Sequence, residues 1–198
     1  MEAWLHGAAL EASLPPLQAL LEGLSLGPPT PVYQLHVCLA APPAEEDAQA
    51  VELHLTRDLT TPGSLWRVRH TARPMAGDRA SKLPAAVREV REAASLSGDA
   101  YRLLATAGCR LQYQLMRRGF RYTLLEGAQA VSVALLLLQG QGEDGQPADL
   151  VPGLWLVEAT CATSQEAYAD AVHALAAVRD RVAGVVTLSR PALHLVRT

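Results

Sequence analysis

Between Arg110 and Leu138 apolar residues recur at every second position, and this run limits what the chain can become. Leu111, Tyr113 and Leu115 alternate with Gln112, Gln114 and Met116, and Phe120, Tyr122 and Leu124 alternate with Arg121, Thr123 and Leu125. A period of two sends successive side chains to opposite faces of a strand. Gly119 and Gly127 fall between the runs, where turns need a permissive backbone. The pattern predicts three consecutive antiparallel strands at the centre of a sheet or barrel. In the last of them Val131, Val133, Leu135 and Leu137 share a face, while Leu136 and Leu138 are apolar on the other. A strand apolar on both faces must be covered on both. The cover is either the chain's own helices or another protein, so these four residues are candidate partner contacts.

The flanking sequence reads as strands with helices near the two ends. Ala3–Leu10 is a short apolar strand. Ser13 offers an N-cap, Pro15 and Pro16 suit a first helical turn, and Leu14, Leu17, Leu20, Leu21 and Leu24 recur at helical spacing. Val32–Ala40 and Val51–Thr56 alternate as a hairpin around a loop, Ala41–Ala50, that holds Glu45-Glu46-Asp47. Leu65–Ala72 is a further strand, followed by a polar loop over Arg73–Pro84. Leu83–Leu96 is ambiguous: Val87, Val90 and Ala94 are helix-spaced among Ala, Glu and Arg, so local propensity favours a helix, which tertiary context often overrides. Ser97-Gly98-Asp99 caps a short helix, Ala100–Ala107, stopped by Gly108. Gln139–Gly153 reads as a loop and Leu154–Cys161 as a strand. Thr163 and Glu166 have the spacing of a capping box, opening a helix whose stripe is Tyr168, Ala171, Val172, Leu175, Val178 and Val182. Val185, Val186 and Leu188 suggest a last short strand. Consecutive alternating strands with short turns imply antiparallel pairing, and about eight of them suit a closed barrel in a single domain, 1–198.

Composition narrows the function classes. At a net charge of −3 the chain carries no basic footprint for nucleic acid. Cys38, Cys109 and Cys161 are odd in number and never in a C-x-x-C pair, which predicts reduced, buried thiols in the cytosol or nucleus. The longest apolar run, Val133–Leu138, is too short to cross a bilayer as a helix.

Several groups of residues suggest chemistry. His36 and Cys38 share a strand face and His54 could sit across from them, but a metal site needs three or four converging ligands. A half-buried histidine beside a core cysteine accounts for the same pattern. Glu52 and Glu158 lie inside predicted strands, and inward carboxylates in a barrel can hold a divalent cation. Tunnel-shaped triphosphatases do so with an E-x-E pattern, which is absent from this sequence. Arg117-Arg118 beside Phe120, Arg121 and Tyr122 reads as an RNA-touching cluster or as a hairpin turn solubilised by arginine. No nucleophile elbow and no phosphate-binding glycine loop occurs. No catalytic, metal-binding or cofactor-binding residue is assigned, and no cofactor or small-molecule substrate is expected.

Segments along nearly the whole chain resemble the Mediator complex subunit 18 family of the transcription coactivator's head module. They are Trp4-Leu5-His6-Gly7 with the leucine helix, Trp66-Arg67-Val68-Arg69 with Pro74 and Gly77-Asp78, Gly108-Cys109-Arg110 with Arg118-Gly119-Phe120, and Trp155-Leu156-Val157-Glu158 before a long helix. Cys109 stands where the family usually has an aromatic residue, and Gln114 where it often has an acid. The resemblance implies a mainly β fold: an antiparallel closed barrel of the tunnel-triphosphatase type without catalytic glutamates, with a leucine-rich N-terminal helix and a long C-terminal helix. It also implies that Leu83–Leu96 is largely strand.

Two functions follow. The resemblance implies a non-enzymatic nuclear scaffold that pairs with Mediator subunit 20, is tethered by a helix of Mediator subunit 8 and reaches RNA polymerase II through the complex. The alternative is a divergent tunnel-type RNA triphosphatase or another phosphate-binding barrel enzyme. Converging Glu, Lys and Arg in the lumen would favour the enzyme; an apolar or plugged lumen would favour the scaffold.

Overall fold

The computed structural model describes residues 1–42, 51–77, 80, 82–142 and 144–191. Its strands are β1 (Glu2–Leu10), β2 (Thr30–Ala41), β3 (Val51–Asp58), β4 (Trp66–Pro74), β5 (Ala86–Leu96), β6 (Arg110–Glu126), β7 (Gln129–Gln141), β8 (Pro147–Asp149) and β9 (Leu154–Ala162). The helices are α1 (Leu14–Leu24), α2 (Ala100–Thr106) and α3 (Tyr168–Val182), with a 3-10 turn at Glu11–Ser13. Every strand pair is antiparallel, in the order β6-β2-β3-β4-β5-β1-β9-β7-β8, and β6 also pairs with β7. That last pairing closes the sheet. Strand β8 only lengthens the edge of β7, so eight strands form the ring.

Several expectations are corrected. Arg110–Leu138 holds two strands and not three, because β6 runs unbroken through Gly119. Gly119 serves a close approach: a Cβ there would lie 1.9 Å from the Leu135 carbonyl oxygen. Gly127, at φ +60°, does make the β6–β7 turn. Leu83–Leu96 is mainly β5, as the family resemblance implied and against its helical propensity, because β1 and β4 supply backbone partners on both sides. Gln139–Gly153 is not all loop, since β8 pairs with the end of β7. Helix α3 begins at Tyr168, not beside Thr163. The Ser164 hydroxyl, not a capping box, accepts the Glu166 and Ala167 amides. Ser13 sits at the N-cap of α1 but makes no side-chain cap bond. Val186 and Leu188 are buried without forming a strand; only a bridge at Ser189 joins that segment to β1. Asp99 caps α2 as expected, accepting the Arg102 amide at 2.9 Å. The acidic stretch Glu45–Asp47, together with Asp78 and Glu143, lies outside the described residues.

The core has three parts. The largest lies outside the barrel wall, where Leu14, Leu17 and Leu21 of α1 and Val172, Leu175 and Val178 of α3 cover Leu5, Tyr122, Val133, Leu135 and Val157. Val37, Leu39, Leu55, Trp66 and Val68 form a second cluster with Ala100 of α2. The third, Val32, Ala134 and Leu136 with Leu138 and Leu156, lies on the opposite face of β7. Both apolar faces of β7 are therefore covered within the chain. Val131, Val133 and Leu135 are at most 1% exposed. That corrects the expectation that they offer surface to a partner: the helices already remove them from water. Leu137 is half-buried.

Candidate functional site: the barrel lumen

Strand alternation dictates what the lumen holds. The inward positions are Glu2, Trp4 and His6 of β1, Gln34 and His36 of β2, His54 and Thr56 of β3, and Arg67 and Arg69 of β4. Arg88 and Glu92 of β5, Tyr113, Arg117 and Arg121 of β6, and Glu158 of β9 also line it, as do Asp58 at the end of β3 and hydroxyl side chains such as Thr71 and Thr160. They surround a cavity of about 940 Å³. Alternate positions of the same strands, such as Val37, Leu55 and Val68, face the outer core.

The lumen charges are largely paired. Glu2 is the one buried acidic residue among the described residues, at 5% exposure. It accepts from Arg69 and, at 2.8 and 3.1 Å, from Nη2 and Nε of Arg88. The Arg88 guanidinium also lies 4.3 Å above the Trp4 ring, a cation–π contact that holds it flat against the wall. Glu158 accepts from Arg117. A carboxylate engaged by guanidinium donors has its lone pairs committed, so it is a poor ligand for a divalent cation. Arg67 and Arg121 also face this space, where the Asp58 charge acts on both and the Glu158 charge acts on Arg121. Burial, and then the like charge of Arg117, lower the pKa of Arg121.

At one end of the lumen, strand register assembles a second group. Cys38 and His54 are directly paired across β2 and β3, and Glu52 precedes His54 by two residues on the same face. Cys38 Sγ, a Glu52 carboxylate oxygen and a His54 ring nitrogen lie within 4.8 Å of one another. His54 Nδ1 is 3.3 Å from His36 Nε2, and His36 stacks on Tyr113 at 5.9 Å between centroids. Burial, followed by the Arg117 charge, lowers the His36 pKa to about 3. Burial, followed by the Arg88 and Arg69 charges, lowers that of His54 to about 4. Both rings are therefore neutral near pH 7. Burial, and then the Glu52 charge, push the Cys38 thiol up to about 11.

The structure thus brings His36, Cys38, His54 and Glu52 together, which sequence spacing left undecided. Glu158 lies away from them, paired with Arg117. The basic-aromatic cluster is split: Arg117 and Arg121 face the lumen, Arg118 and Phe120 are exposed, and Tyr122 is core at 1% exposure. The expected turn at Arg117-Arg118 is corrected to mid-strand, and no single surface offers those residues to RNA. The lumen arginines escaped sequence reading because Arg67, Arg69, Arg88, Arg117 and Arg121 lie on three strands. Their alternation with apolar neighbours was the available signal.

No protein-family model matches the chain, and no curated protein matches it in sequence. Its fold is similar to solved structures at low identity. A chain of the Schizosaccharomyces pombe Mediator head module aligns with a TM-score of 0.73 at 13% identity, covering 96% of this chain and 98% of that one. The PH1819 protein of Pyrococcus horikoshii aligns at 0.62 and 13% identity over 97% and 95%. A Hippeastrum protein, described as a putative adenylyl cyclase with a dominant triphosphatase activity, aligns at 0.53 and 11% identity over 99% and 94%. At these identities the likeness establishes the fold: a closed antiparallel barrel of the tunnel-triphosphatase type.

Proposed function

We propose that this chain is a non-catalytic subunit of the Mediator head module, acting in the nucleus as a transcription coregulator. On this reading it pairs with Mediator subunit 20, is held by a helix of Mediator subunit 8 and meets RNA polymerase II through the assembled complex. The observation that carries the reading is the end-to-end likeness to a chain of the fission-yeast Mediator head module. The ordered sequence resemblance from Trp4 to Glu158 supports it. Affinity capture of the tagged chain from its own cells, followed by mass spectrometry, is the test. Recovery of Mediator head subunits is expected; a capture that enriches no Mediator subunit would overturn the reading.

A second reading rests on a specific feature. Five arginines, Arg67, Arg69, Arg88, Arg117 and Arg121, converge on the lumen, and guanidinium groups recognise phosphate well. A phosphate-binding tunnel enzyme would use them, as the likeness to the Hippeastrum protein allows. The scaffold reading predicts no phosphate release above background from nucleoside triphosphates or triphosphate-ended RNA, with magnesium or manganese. Metal-dependent turnover that disappears in Glu158→Gln or Glu52→Gln would favour the enzyme.

A further inference from the structure

We propose that Cys38, Glu52 and His54 form a zinc-binding site at the end of the barrel lumen, with His36 orienting His54 from behind. The proposal is independent of the assembly reading. It begins with backbone register: Cys38 and His54 are cross-strand partners and Glu52 is two residues from His54, so all three side chains leave the same face of one strand pair. Their donor atoms already lie within 4.8 Å of one another. A mixed sulfur, nitrogen and oxygen donor set suits zinc, which binds cysteine, histidine and carboxylate tetrahedrally. The β2–β6 register shifts between Cys38 and Leu39, and a bulge re-aims side chains in this way beside functional sites.

The ring of His54 is used at both nitrogens. Nε2 faces Glu52 Oε2 at 3.8 Å, while Nδ1 meets His36 Nε2 at 3.3 Å. The Glu52 contact is too long for a hydrogen bond, so the carboxylate is available as a ligand. Nε2 is then the ligating atom and Nδ1 donates to His36, the outer partner that fixes a metal-bound imidazole. The Cys38 thiolate and the Glu52 carboxylate would supply two negative charges against the two positive charges of zinc. The nearby guanidiniums of Arg69, Arg88 and Arg117 are engaged by Glu2 and Glu158, which lowers their opposition to a cation. Zinc binding expels the Cys38 proton, as thiolate ligation requires. Three protein ligands leave a fourth position for water.

The test uses the untagged full chain. Metal content after purification and titration with zinc against a chelating dye should give one zinc per chain. Cobalt substitution should give a thiolate-to-cobalt absorption band. Glu52→Gln alters a half-exposed side chain, so it should keep the far-ultraviolet circular dichroism while losing most of the affinity. Cys38→Ser should abolish the cobalt band. His36→Ala should weaken zinc about 10-fold to 100-fold while leaving the stoichiometry at one. Cys161→Ser, a cysteine in the separate core under α3, should bind as the parent does. Absence of zinc uptake by the folded parent would overturn the proposal, as would unchanged affinity in both Glu52→Gln and Cys38→Ser.

Discussion

The histidine pair gives the molecule a pH dependence that can be derived in sign. An unfolded histidine titrates near 6.5, whereas His36 and His54 in the fold titrate at about 3 and about 4. Above the unfolded value both states are neutral and nothing is lost. As pH falls below it the unfolded chain takes up protons that the folded chain refuses, so stability falls towards the folded values. Each histidine costs up to about 1.4 kcal/mol per pH unit inside that window. Denaturant melts in the presence of chelator should show the midpoint dropping between pH 6.5 and 5, with a shallower slope in a His36→Gln/His54→Gln double variant. Gly119 makes a second prediction at this scale. A methyl group would meet the Leu135 carbonyl oxygen at 1.9 Å, so Gly119→Ala should lose about 4 kcal/mol or more, read as a fallen thermal midpoint or as insoluble protein.

Among the elements, α3 and β7 depend on each other. Helix α3 presents Ala171, Val172, Leu175, Val178 and Val182 to the barrel wall, and it is clamped at its far end by Arg181, which donates to Glu126 at 2.9 Å. Leu175 is fully buried. Leu175→Ala removes that packing and should destabilise the isolated chain by about 2–5 kcal/mol, measured by chemical denaturation. Val133→Asp tests the facing strand. A charge placed under the helices has no partner, so the monomer itself should unfold by circular dichroism. A folded Val133→Asp monomer that loses only partner binding would contradict the burial described above. Any partner surface lies elsewhere, on residues the chain leaves in contact with water.

For the molecule as a whole, the decisive feature is where β1 completes the ring. Strand β1 lies between β5 and β9, and the Met1 ammonium donates to the Thr163 carbonyl at 2.8 Å. Strand β1 is therefore among the last of these strands that can be paired, because both neighbours come much later in sequence. Removing residues 1–10 should open the ring, expose the edges of β5 and β9 and give an aggregating chain without a cooperative melt. Adding the excised segment as a peptide should partly restore the transition. A truncated protein that melts as sharply as the full chain would show that closure does not hold the fold.

The strands were legible because alternation is written into each segment alone. The residues of β2, β6 and β9 carry the period that a wall with two different faces imposes. The leucine stripe of α1 and the Asp99 cap of α2 are equally local. Gly119 was misread because glycine marks both turns and close approaches, and only the position of Leu135 distinguishes them. Local propensity alone leaned to helix for Leu83–Leu96, and only the family resemblance pointed to strand, because β1 and β4, distant in sequence, supply the hydrogen bonds that make it one. The lumen belongs to the same class: Glu2 meets Arg69 and Arg88, and Glu158 meets Arg117, across separations that no local pattern encodes. The cluster of Cys38, Glu52 and His54 depends on the register of β2 against β3. Sequence determined that this chain would make strands with an apolar and a polar face. Closure of the ring decided which side chains those faces bring together, because contact between distant strands is set by pairing order and register.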